Sequence, residues 1–213
     1  MTIASIIQKL REHFELSPVI ATEIEFYLMG AEPSDAFWQA VRVACESQRV
    51  GIFKIEKERG RGQHEVALLP YARAEDAVAA TLALKHIIAS LAPAHGMCAD
   101  FSGKPFADQP GSGLHIHLHL ADAEGKNVYT KQGEQMSDAL RFSLGGLLSA
   151  LPDSMAIFAP NDAARARIMA AGDHTPTTIS WGANNRTVAL RLPDGEPGVK
   201  HIEHRVPSAD ADT

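Results

Sequence analysis

Three histidines alternate along one short segment of the sequence, and their side chains make metal binding the first chemistry to consider. His115, His117 and His119 occupy every second position between Leu114 and Leu120. In a β-strand this spacing places all three imidazoles on one face, with aliphatic side chains on the other. Because neutral imidazole binds metals well, the segment predicts a functional strand and leaves open which metal it serves.

Two carboxylates share a predicted strand face nearer the N-terminus. Glu23 and Glu25 alternate with Ile24, Phe26 and Leu28, which is typical of a half-buried strand. Two like charges on one sheet surface are unfavourable unless water or a cation compensates them. The pair therefore indicates either a solvated face or a cation site, and the pair alone does not choose between them.

A glycine-rich turn separates two further acids. Residues 59–62 read Arg-Gly-Arg-Gly and lie between Glu58 and Glu65. Such a turn can hold the flanking carboxylates around a hard cation, which prefers oxygen ligands. Glu56 is an alternative to Glu58 as the first of the two ligands.

Arginines and one more acid follow towards the end of the sequence. Glu203 and Arg205 share a predicted strand face, and Arg186 and Arg191 lie shortly upstream. Arginine recognises carboxylates and phosphates through paired hydrogen bonds. Enzymes that transfer phosphoryl groups use carboxylates and imidazoles to bind cations, and arginines to bind the anionic phosphates. The sequence has neither the glycine-lysine phosphate loop nor the dinucleotide glycine signature, so ATP would be bound in another way.

The composition argues against several function classes. A formal charge of −6 and a pI of about 5.9 lack the basic footprint of a nucleic-acid-binding protein. No apolar run is expected to reach the roughly 20 residues of a membrane span. Cys45 and Cys98 fit no metal spacing. No signal-peptide pattern is present, so we expect a reducing, cytoplasmic location.

The predicted elements favour an α+β fold: a curved, mainly antiparallel sheet with helices on its outer face. The predicted strands outnumber the opportunities for helical crossovers, and hairpin-like connections are frequent. The predicted helices are Ile3–Phe14, a helix from the Ser34 cap to about Gln48, Ala74–Ala92, Gln135–Leu151 and part of Asn161–Pro176; the predicted strands are Val19–Met29, Gly51–Lys57, Gln63–Leu69, Leu114–Leu120, Thr187–Leu192 and Val199–Val206.

Six short segments, in this order, resemble motifs of the glutamine synthetase family. They are Glu-Ile-Glu-Phe-Tyr-Leu (23–28), Gly-Gln-His-Glu-Val (62–66), Lys-Pro-Phe (104–106), Gly-Ser-Gly-Leu-His-Ile-His (111–117), Trp-Gly-Ala-Asn-Asn-Arg (181–186) and Ile-Glu-His-Arg-Val-Pro (202–207). One such segment is weak, whereas six in the family order are specific. The sequence is most similar to the bacterial branch that includes γ-glutamyl-amine ligases.

The resemblance implies an ATP-dependent γ-glutamyl ligase that joins glutamate to ammonia or an amine through γ-glutamyl phosphate, with two Mg²⁺ or Mn²⁺ ions. It implies one metal site at the amino-acid substrate and a second at the ATP phosphates. The residues that match the family's roles are Glu25, Glu58 and Glu65 for the first metal; Glu23, His115 and Glu203 for the second; His117 and Arg191 beside the nucleotide; Gly111 beside the glutamate; and Arg186 and Arg205 at the transferring phosphoryl group.

The resemblance also implies a domain organisation. Residues 1–213 are expected to form a single catalytic domain, without the family's N-terminal β-rich domain and without the helices that usually follow its last motif. Family members assemble into rings with shared active sites. The expected partners are therefore a second copy of the chain, or another chain that supplies the N-terminal domain, besides ATP, glutamate and the amine.

Several positions depart from the family pattern. His174 stands where ammonia-using enzymes carry a flap glutamate, which favours a larger amine as the nitrogen donor. Pro110 replaces a frequent asparagine, and His119 replaces a common serine near the nucleotide. Arg165 and Arg167 are both candidates for the family's substrate-binding arginine.

Two other functions remain open on the sequence alone. The chain could be a non-catalytic or degenerate member of the family, which the altered flap favours and the retained metal ligands oppose. It could instead be a zinc hydrolase that uses His115, His117 and His119 around a tetrahedral ion with one open position. The zinc hydrolase hypothesis gives the glutamates no role, and oxygen-rich sites favour Mg²⁺ or Mn²⁺.

Overall fold

An eight-stranded sheet organises the residues described by the structure, a computed structural model covering 3–130, 136–170, 174–195 and 199–211. The elements follow in the order α1 (Ile3–Phe14), β1 (Ser17–Gly30), α2 (Asp35–Ser47), β2 (Ile52–Lys57), β3 (Gln63–Leu68), α3 (Ala74–Leu91), a 3₁₀ turn (Ala92–His95), β4 (Met97–Asp100), β5 (Leu114–Ala121), α4 (Asp138–Phe158), α5 (Asp162–Met169), β6 (Thr178–Ala183), β7 (Val188–Leu192) and β8 (Ile202–His204).

The strands pair in the order β2-β3-β1-β5-β8-β7-β6, and β4 pairs with the end of β1. All of these pairings are antiparallel except that between β6 and β7. The predicted α+β class with a mainly antiparallel sheet is therefore confirmed. Because β1 pairs with three strands, its side chains lie at the centre of the sheet.

The two faces of β1 have opposite character, as its alternating sequence predicts. Ile24, Phe26 and Leu28 are buried in the first hydrophobic core. Glu23 and Glu25 lie on the opposite face. The apolar side chains thus fix which face meets the helices, and the acids are left on the other.

Helices cover the apolar face in two places. α2 and α3 contribute Phe37, Val41 and Leu84 to the core that contains the β1 side chains. The Ser34 side chain caps α2 by accepting a hydrogen bond from the Phe37 backbone nitrogen at 3.4 Å. α4 packs with β7 and β8 to form a second core, in which Leu140, Leu144, Leu190 and Ile202 are buried.

The segment Ala74–His95 is the most apolar helical stretch of the described chain. It has 22 residues, and its most apolar 18-residue window has a mean hydropathy of 1.5, so that it is long and apolar enough to cross a membrane by length and composition alone. Such a stretch was not predicted from the sequence. Leu84, Ile87 and Ile88 nevertheless lie in the first core against the sheet. The apolar character of this helix is thus accounted for by packing.

Replacing Leu84 by alanine is expected to lower the free energy of unfolding by about 2–5 kcal/mol, because the side chain is fully buried and its loss leaves a cavity. Leu82, on the same helix, is 46% exposed, and its replacement by alanine is expected to cost roughly 1 kcal/mol or less. Denaturant unfolding of both variants measures the difference. Equal losses would contradict the placement of α3.

Some elements differ from the sequence prediction. β4 and β6 were not predicted: β4 has four residues, and β6 contains Gly182 and pairs parallel to β7. α4 continues past Leu151 to Phe158 despite Pro152 inside it. Met155 and Phe158 pack against the second core, which offsets the hydrogen bond that a proline removes.

Candidate active site

Strand pairing brings the predicted polar residues onto one face of the sheet. Along β1 and β5, Glu23 lies opposite His115. Glu203 on β8 lies opposite both His117 and Arg191. Residues directly opposite each other on a sheet face have side chains in contact range. We call this surface, which carries Glu23, His115, His117 and Glu203, the polar face.

One group of possible metal ligands joins Glu23, Glu65 and His115, whose ligand atoms all lie within 4.8 Å of one another. The His115 Nδ1 atom is 3.5 Å from Glu23 Oε2 and 3.6 Å from Glu203 Oε1. Three strands, β3, β1 and β5, therefore contribute one ligand each to this group.

A second group joins Glu23, His117 and Glu203 within the same distance. His117 Nε2 lies 3.2 Å from Glu23 Oε1. Glu23 belongs to both groups, so the two possible cation positions adjoin. Glu23, Glu65, His115, His117 and Glu203 could together hold a pair of ions.

The donor atoms fit a divalent cation. His115 Nδ1 and His117 Nε2 are buried and make no hydrogen bond, although carboxylate oxygens lie nearby. A buried polar atom without a partner costs free energy, and a cation between imidazole and carboxylate would satisfy both. A ligand set dominated by carboxylate oxygens suits Mg²⁺ or Mn²⁺.

The ionisation of the acids follows from their crowding. Burial, followed by the charges of Glu23 and Glu25, raises the pKa of Glu65 to about 9. Burial also acts to raise the pKa of Glu23, but the adjacent His115 and His117 outweigh it and lower that pKa overall. Glu65 therefore tends to hold its proton, whereas Glu23 carries negative charge beside the imidazoles.

Glu203 is held by two arginines. Its carboxylate accepts hydrogen bonds from Arg205 and, at 2.7 Å, from Arg191 Nη1. Burial works against the charge, yet His115 and these arginines lower the pKa of Glu203 overall. The side chain is 1% exposed, so removing either arginine would leave a buried charge less well compensated.

Arg205 also connects the polar face to the segments before and after β6. Its guanidinium donates to the Arg186 backbone oxygen at 3.2 Å and to the His174 backbone oxygen at 3.0 Å. The Arg186 side chain is exposed, with Nη1 at 3.4 Å from His174 Nδ1. The two predicted phosphoryl-site arginines therefore lie together at one end of the polar face.

A cavity of about 550 Å³ opens on one side of this row of ligands. Its walls include side chains from the turn, the loop before β5, and α5. The predicted residues that line it are Glu25, Glu58, Gly111, His115 and His174.

Glu25 accepts a hydrogen bond from the Gly113 nitrogen at 2.7 Å. Burial, with Glu25 next, raises the pKa of Glu58. Glu25 and Glu58 thus face this cavity and lie outside the two three-residue ligand groups among the described residues.

A second cavity of about 480 Å³ opens on the other side. Glu23, His117 and Arg191 line one part of it, and Phe53 and Val199 line another. The residues predicted for the nucleotide, His117 and Arg191, therefore share a cavity that also offers an apolar wall. The row of Glu23 and His115 separates this cavity from the first.

Arg167 is the candidate substrate arginine that reaches the site. It is 4% exposed, lines the first cavity, and donates to the backbone oxygens of Val206 at 2.9 Å and Arg205 at 3.1 Å. Arg165 instead is exposed and pairs with Asp162 at 2.9 Å. The sequence could not separate the two, because they differ only in which side of a short helix they occupy.

His201 lines the second cavity and was not singled out from the sequence. Its ring centroid lies 4.9 Å from that of His117. The available signal was its spacing of two residues from Glu203, which places both side chains on one strand face.

Gly111 has no room for a side chain. A Cβ atom there would lie 2.6 Å from Arg167 Cγ and 2.6 Å from the Gly103 oxygen. Replacing Gly111 by alanine is therefore expected to displace the loop in the wall of the first cavity. If that cavity binds glutamate, as the resemblance implies, the binding should weaken about tenfold or more, since small misplacements have large effects on a site. The KM for glutamate is the measurement. Gly145→Ala, in open space on α4, should leave that KM unchanged.

Comparisons with known proteins place this geometry in a family. A family model for the catalytic domain of glutamine synthetase matches residues 31–213. The chain is 32% identical to gamma-glutamylputrescine synthetase PuuA of Escherichia coli (strain K12), over 96% of this chain and 49% of that protein. It is 29% identical to gamma-glutamylethanolamide synthetase GlnA4 of Streptomyces coelicolor, over 92% of this chain and 41% of that protein. The chain thus spans about half the length, or less, of these curated relatives.

Solved structures show the same fold. A cryo-EM structure of Plasmodium falciparum glutamine synthetase matches with a TM-score of 0.89 at 15% identity, covering 98% of this chain and 51% of that chain. A crystal structure of a glutamine synthase homolog matches with a TM-score of 0.86 at 20% identity, covering 99% of this chain and 54% of that chain. With the family model matching most of the sequence, the chain belongs to the glutamine synthetase family.

Proposed function

We propose that this chain is the catalytic domain of an ATP-dependent γ-glutamyl ligase that joins glutamate to an amine through γ-glutamyl phosphate. The observation that carries the proposal is the convergence of Glu23, Glu65, His115 and Glu203 between two cavities. Residues from four strands meet there, which a chance collection of surface acids would not do. Membership in the glutamine synthetase family supports the same reaction class.

The two cavities are assigned to the two substrates. The first, with Glu25, Gly111 and Arg167 in its wall, would bind glutamate, because a buried arginine suits the substrate's carboxylate. The second, with His117, Arg191 and an apolar wall, would bind the nucleotide. The γ-carboxyl group and the γ-phosphate would then meet at the row of ligands that separates the cavities.

The proposed reaction has two steps. A side-chain oxygen of glutamate attacks the γ-phosphorus of ATP, and the bond to ADP breaks. The amine nitrogen then attacks the resulting acyl phosphate, loses a proton, and phosphate leaves. Arg205 and Arg186 would stabilise the charge that develops on the phosphoryl oxygens. Cations held by Glu23, Glu65, His115, His117 and Glu203 would neutralise phosphate charge when bound.

The acceptor is proposed to be a primary amine larger than ammonia. His174 lies in the wall of the first cavity, beside Arg186, where ammonia-using enzymes of the family carry a glutamate. Two relatives of this chain are named for ligation of putrescine and ethanolamine to glutamate.

We place the reaction in the cytoplasm, since the free Cys45 and Cys98 fit a reducing compartment.

An ADP-release assay across a panel of amines tests the proposal. The expected result is ADP release that requires Mg²⁺ or Mn²⁺, glutamate and one class of amine together. Ammonia serves as the matched acceptor of minimal size, and sizing of the purified chain shows which assembly is active. Binding of ATP with no release under any combination would contradict the ligase and favour a non-catalytic family member.

The zinc hydrolase reading receives less support from the site. Among the residues that the structure describes, each three-residue ligand group contains Glu23 and one histidine, and neither unites His115, His117 and His119. A hydrolase would also leave Glu65 and Glu203 without a role. Hydrolytic activity that depends on a metal but not on ATP would be needed to support the zinc hydrolase hypothesis.

A further inference from the structure

We propose that Gln63 is a positioning residue that ties together two walls of the first cavity. One wall is the glycine-rich turn (residues 59–62) between β2 and β3, and the other is the Gly111 loop (residues 107–113) before β5. Gln63 would act through the backbone that it holds, not by contact with the reacting atoms. The inference rests on the proposed function in one respect, which is that the first cavity binds glutamate.

The side-chain amide of Gln63 bridges the turn and the loop. Its Oε1 atom accepts a hydrogen bond from the Gly60 nitrogen at 3.0 Å, and its Nε2 atom donates to the Gly111 oxygen at 3.0 Å. Since Gln63 is 2% exposed, its polar atoms need these partners in place of water. An amide offers one acceptor and one donor side by side, so a single side chain satisfies both walls.

The backbone of Gln63 holds the same turn. Its nitrogen donates to the Gly60 oxygen at 3.0 Å, and its oxygen accepts a hydrogen bond from the Glu58 nitrogen at 2.9 Å. Glu58 lines the first cavity just before the turn. Gln63 therefore fixes the turn from its own main chain and the loop from its side chain.

Tyr27 makes the neighbouring contact to the loop. It lies opposite Gln63 in the pairing of β1 with β3, and strand alternation puts both side chains on the polar face. Tyr27 is fully buried, and its Oη atom donates to the Pro110 oxygen at 2.7 Å. Tyr27 and Gln63 thus hold successive carbonyl groups of one loop from a pair of adjacent strands.

The peptide group between Gly111 and Ser112 is held at both of its polar atoms. Gln63 donates to its oxygen, and its N–H, which belongs to Ser112, donates to the Gly103 oxygen at 2.9 Å. Loss of the Gln63 amide would leave the Gly111 oxygen without this partner and release the peptide group to rotate. The shape of the cavity wall would change at the point where glutamate is proposed to bind.

Hydrogen exchange of the whole chain without ligand tests the bridge itself. Gln63→Met keeps the length of the side chain but removes the amide. The backbone N–H groups of residues 111–113 are expected to exchange about tenfold faster or more, because a broken buried hydrogen bond leaves its partner unsatisfied. Gln63→Asn, whose amide is one methylene too short for both partners, serves should the methionine variant fold poorly.

Gln8→Met is the matched control for the exchange experiment. Gln8 is exposed on α1 and donates to Glu12 at 2.7 Å, so the same substitution also removes one side-chain hydrogen bond there. Exchange at residues 111–113 should stay as in the parent chain. If Gln63→Met also leaves this exchange unchanged, the bridge does not hold the loop and the proposal is overturned, whatever the cavity binds.

Steady-state kinetics tests the consequence for the substrate. Gln63→Met is expected to raise the KM for glutamate about tenfold or more, since small displacements have large effects on a site. The KM for ATP should stay within about twofold of the parent value, because Gln63 lines the first cavity and not the second. A variant that had only lost folded protein would instead show a lower kcat with both KM values unchanged.

The two measurements separate this proposal from the ligase proposal. A parent chain without ADP release would contradict the ligase, and the exchange result would then decide alone whether Gln63 holds the loop. In an active chain, faster exchange with an unchanged KM for glutamate would show that the bridge does not position the substrate.

Discussion

Replacing Glu65 by glutamine is expected to abolish metal-dependent nucleotide binding and to lower the rate of ADP release by about 10³-fold. Glu65 supplies one of the three ligand atoms of the group with Glu23 and His115. Bound cations contribute several kcal/mol to phosphoryl transfer, and about 1.4 kcal/mol corresponds to a factor of ten in rate. The amide has the same shape, so the metal-free protein should keep its thermal midpoint.

Thermal unfolding with and without Mn²⁺ measures the first part of this expectation. Each occupied site should add about 2.7 kcal/mol of stability at a metal concentration a hundred times its Kd. Glu65→Gln should lose the part that comes from the group with Glu23 and His115. Glu56→Gln is the matched control, because Glu56 lies opposite Glu65 but is exposed and paired with Lys54 at 2.7 Å. Unchanged metal stabilisation in Glu65→Gln would show that Glu65 is not a ligand.

Replacing Arg205 by lysine is expected to lower kcat by about 10²–10³-fold, the usual effect of removing one preorganised donor from a developing charge. The guanidinium of Arg205 holds Glu203 and the backbone oxygens of Arg186 and His174 at once. The ammonium group of lysine keeps the charge but cannot donate to these three partners at the same time. The loss should therefore fall on kcat more than on the KM for ATP.

Steady-state kinetics on Arg205→Lys separates the two parameters, and Mn²⁺ stabilisation serves as the structural check. That stabilisation should persist, because Arg205 is not a metal ligand in either group. Arg165→Lys is the control, since Arg165 is exposed and paired with Asp162 away from the site. A fall in kcat of equal size in both variants would show that Arg205 has no specific role in the reaction.

The faces of the strands were predictable from the sequence, whereas the pairing between strands was not. The alternation of Glu23 and Glu25 with Ile24 and Phe26 gave the correct side of β1, because side chains alternate strictly along a strand. Which acid faces which histidine depends on the register between strands far apart in the chain. Hydrophobic patterns constrain that register only through the folded core.

The predicted grouping of the metal ligands illustrates this limit. The resemblance grouped Glu25, Glu58 and Glu65 at one metal, with Glu23, His115 and Glu203 at the other. In the structure, Glu23 belongs to both ligand groups. Glu25 and Glu58 line the first cavity instead. The assignment of each residue to one of the two metals stays a prediction.

Secondary structure was least predictable where tertiary contacts override local preference. Pro152 is a strong stop signal in sequence, yet α4 continues beyond it because Met155 and Phe158 pack into the second core. β6 lacked a clear alternating pattern, and Gly182 interrupts it. Its pairing with β7 is parallel, so the sequence contains no hairpin-turn signal that would predict it.

The position of β8 between β5 and β7 has a consequence for biosynthesis. β1 and β8 supply Glu23 and Glu203 from opposite ends of the described chain. While the polypeptide emerges from the ribosome, the carboxylate pair cannot form until β8 has been released. Until then β5 presents an unpaired hydrogen-bonding edge, which is the feature that templates aggregation between nascent chains. Chaperone dependence during translation should therefore concentrate in the interval between synthesis of β5 and arrival of β8.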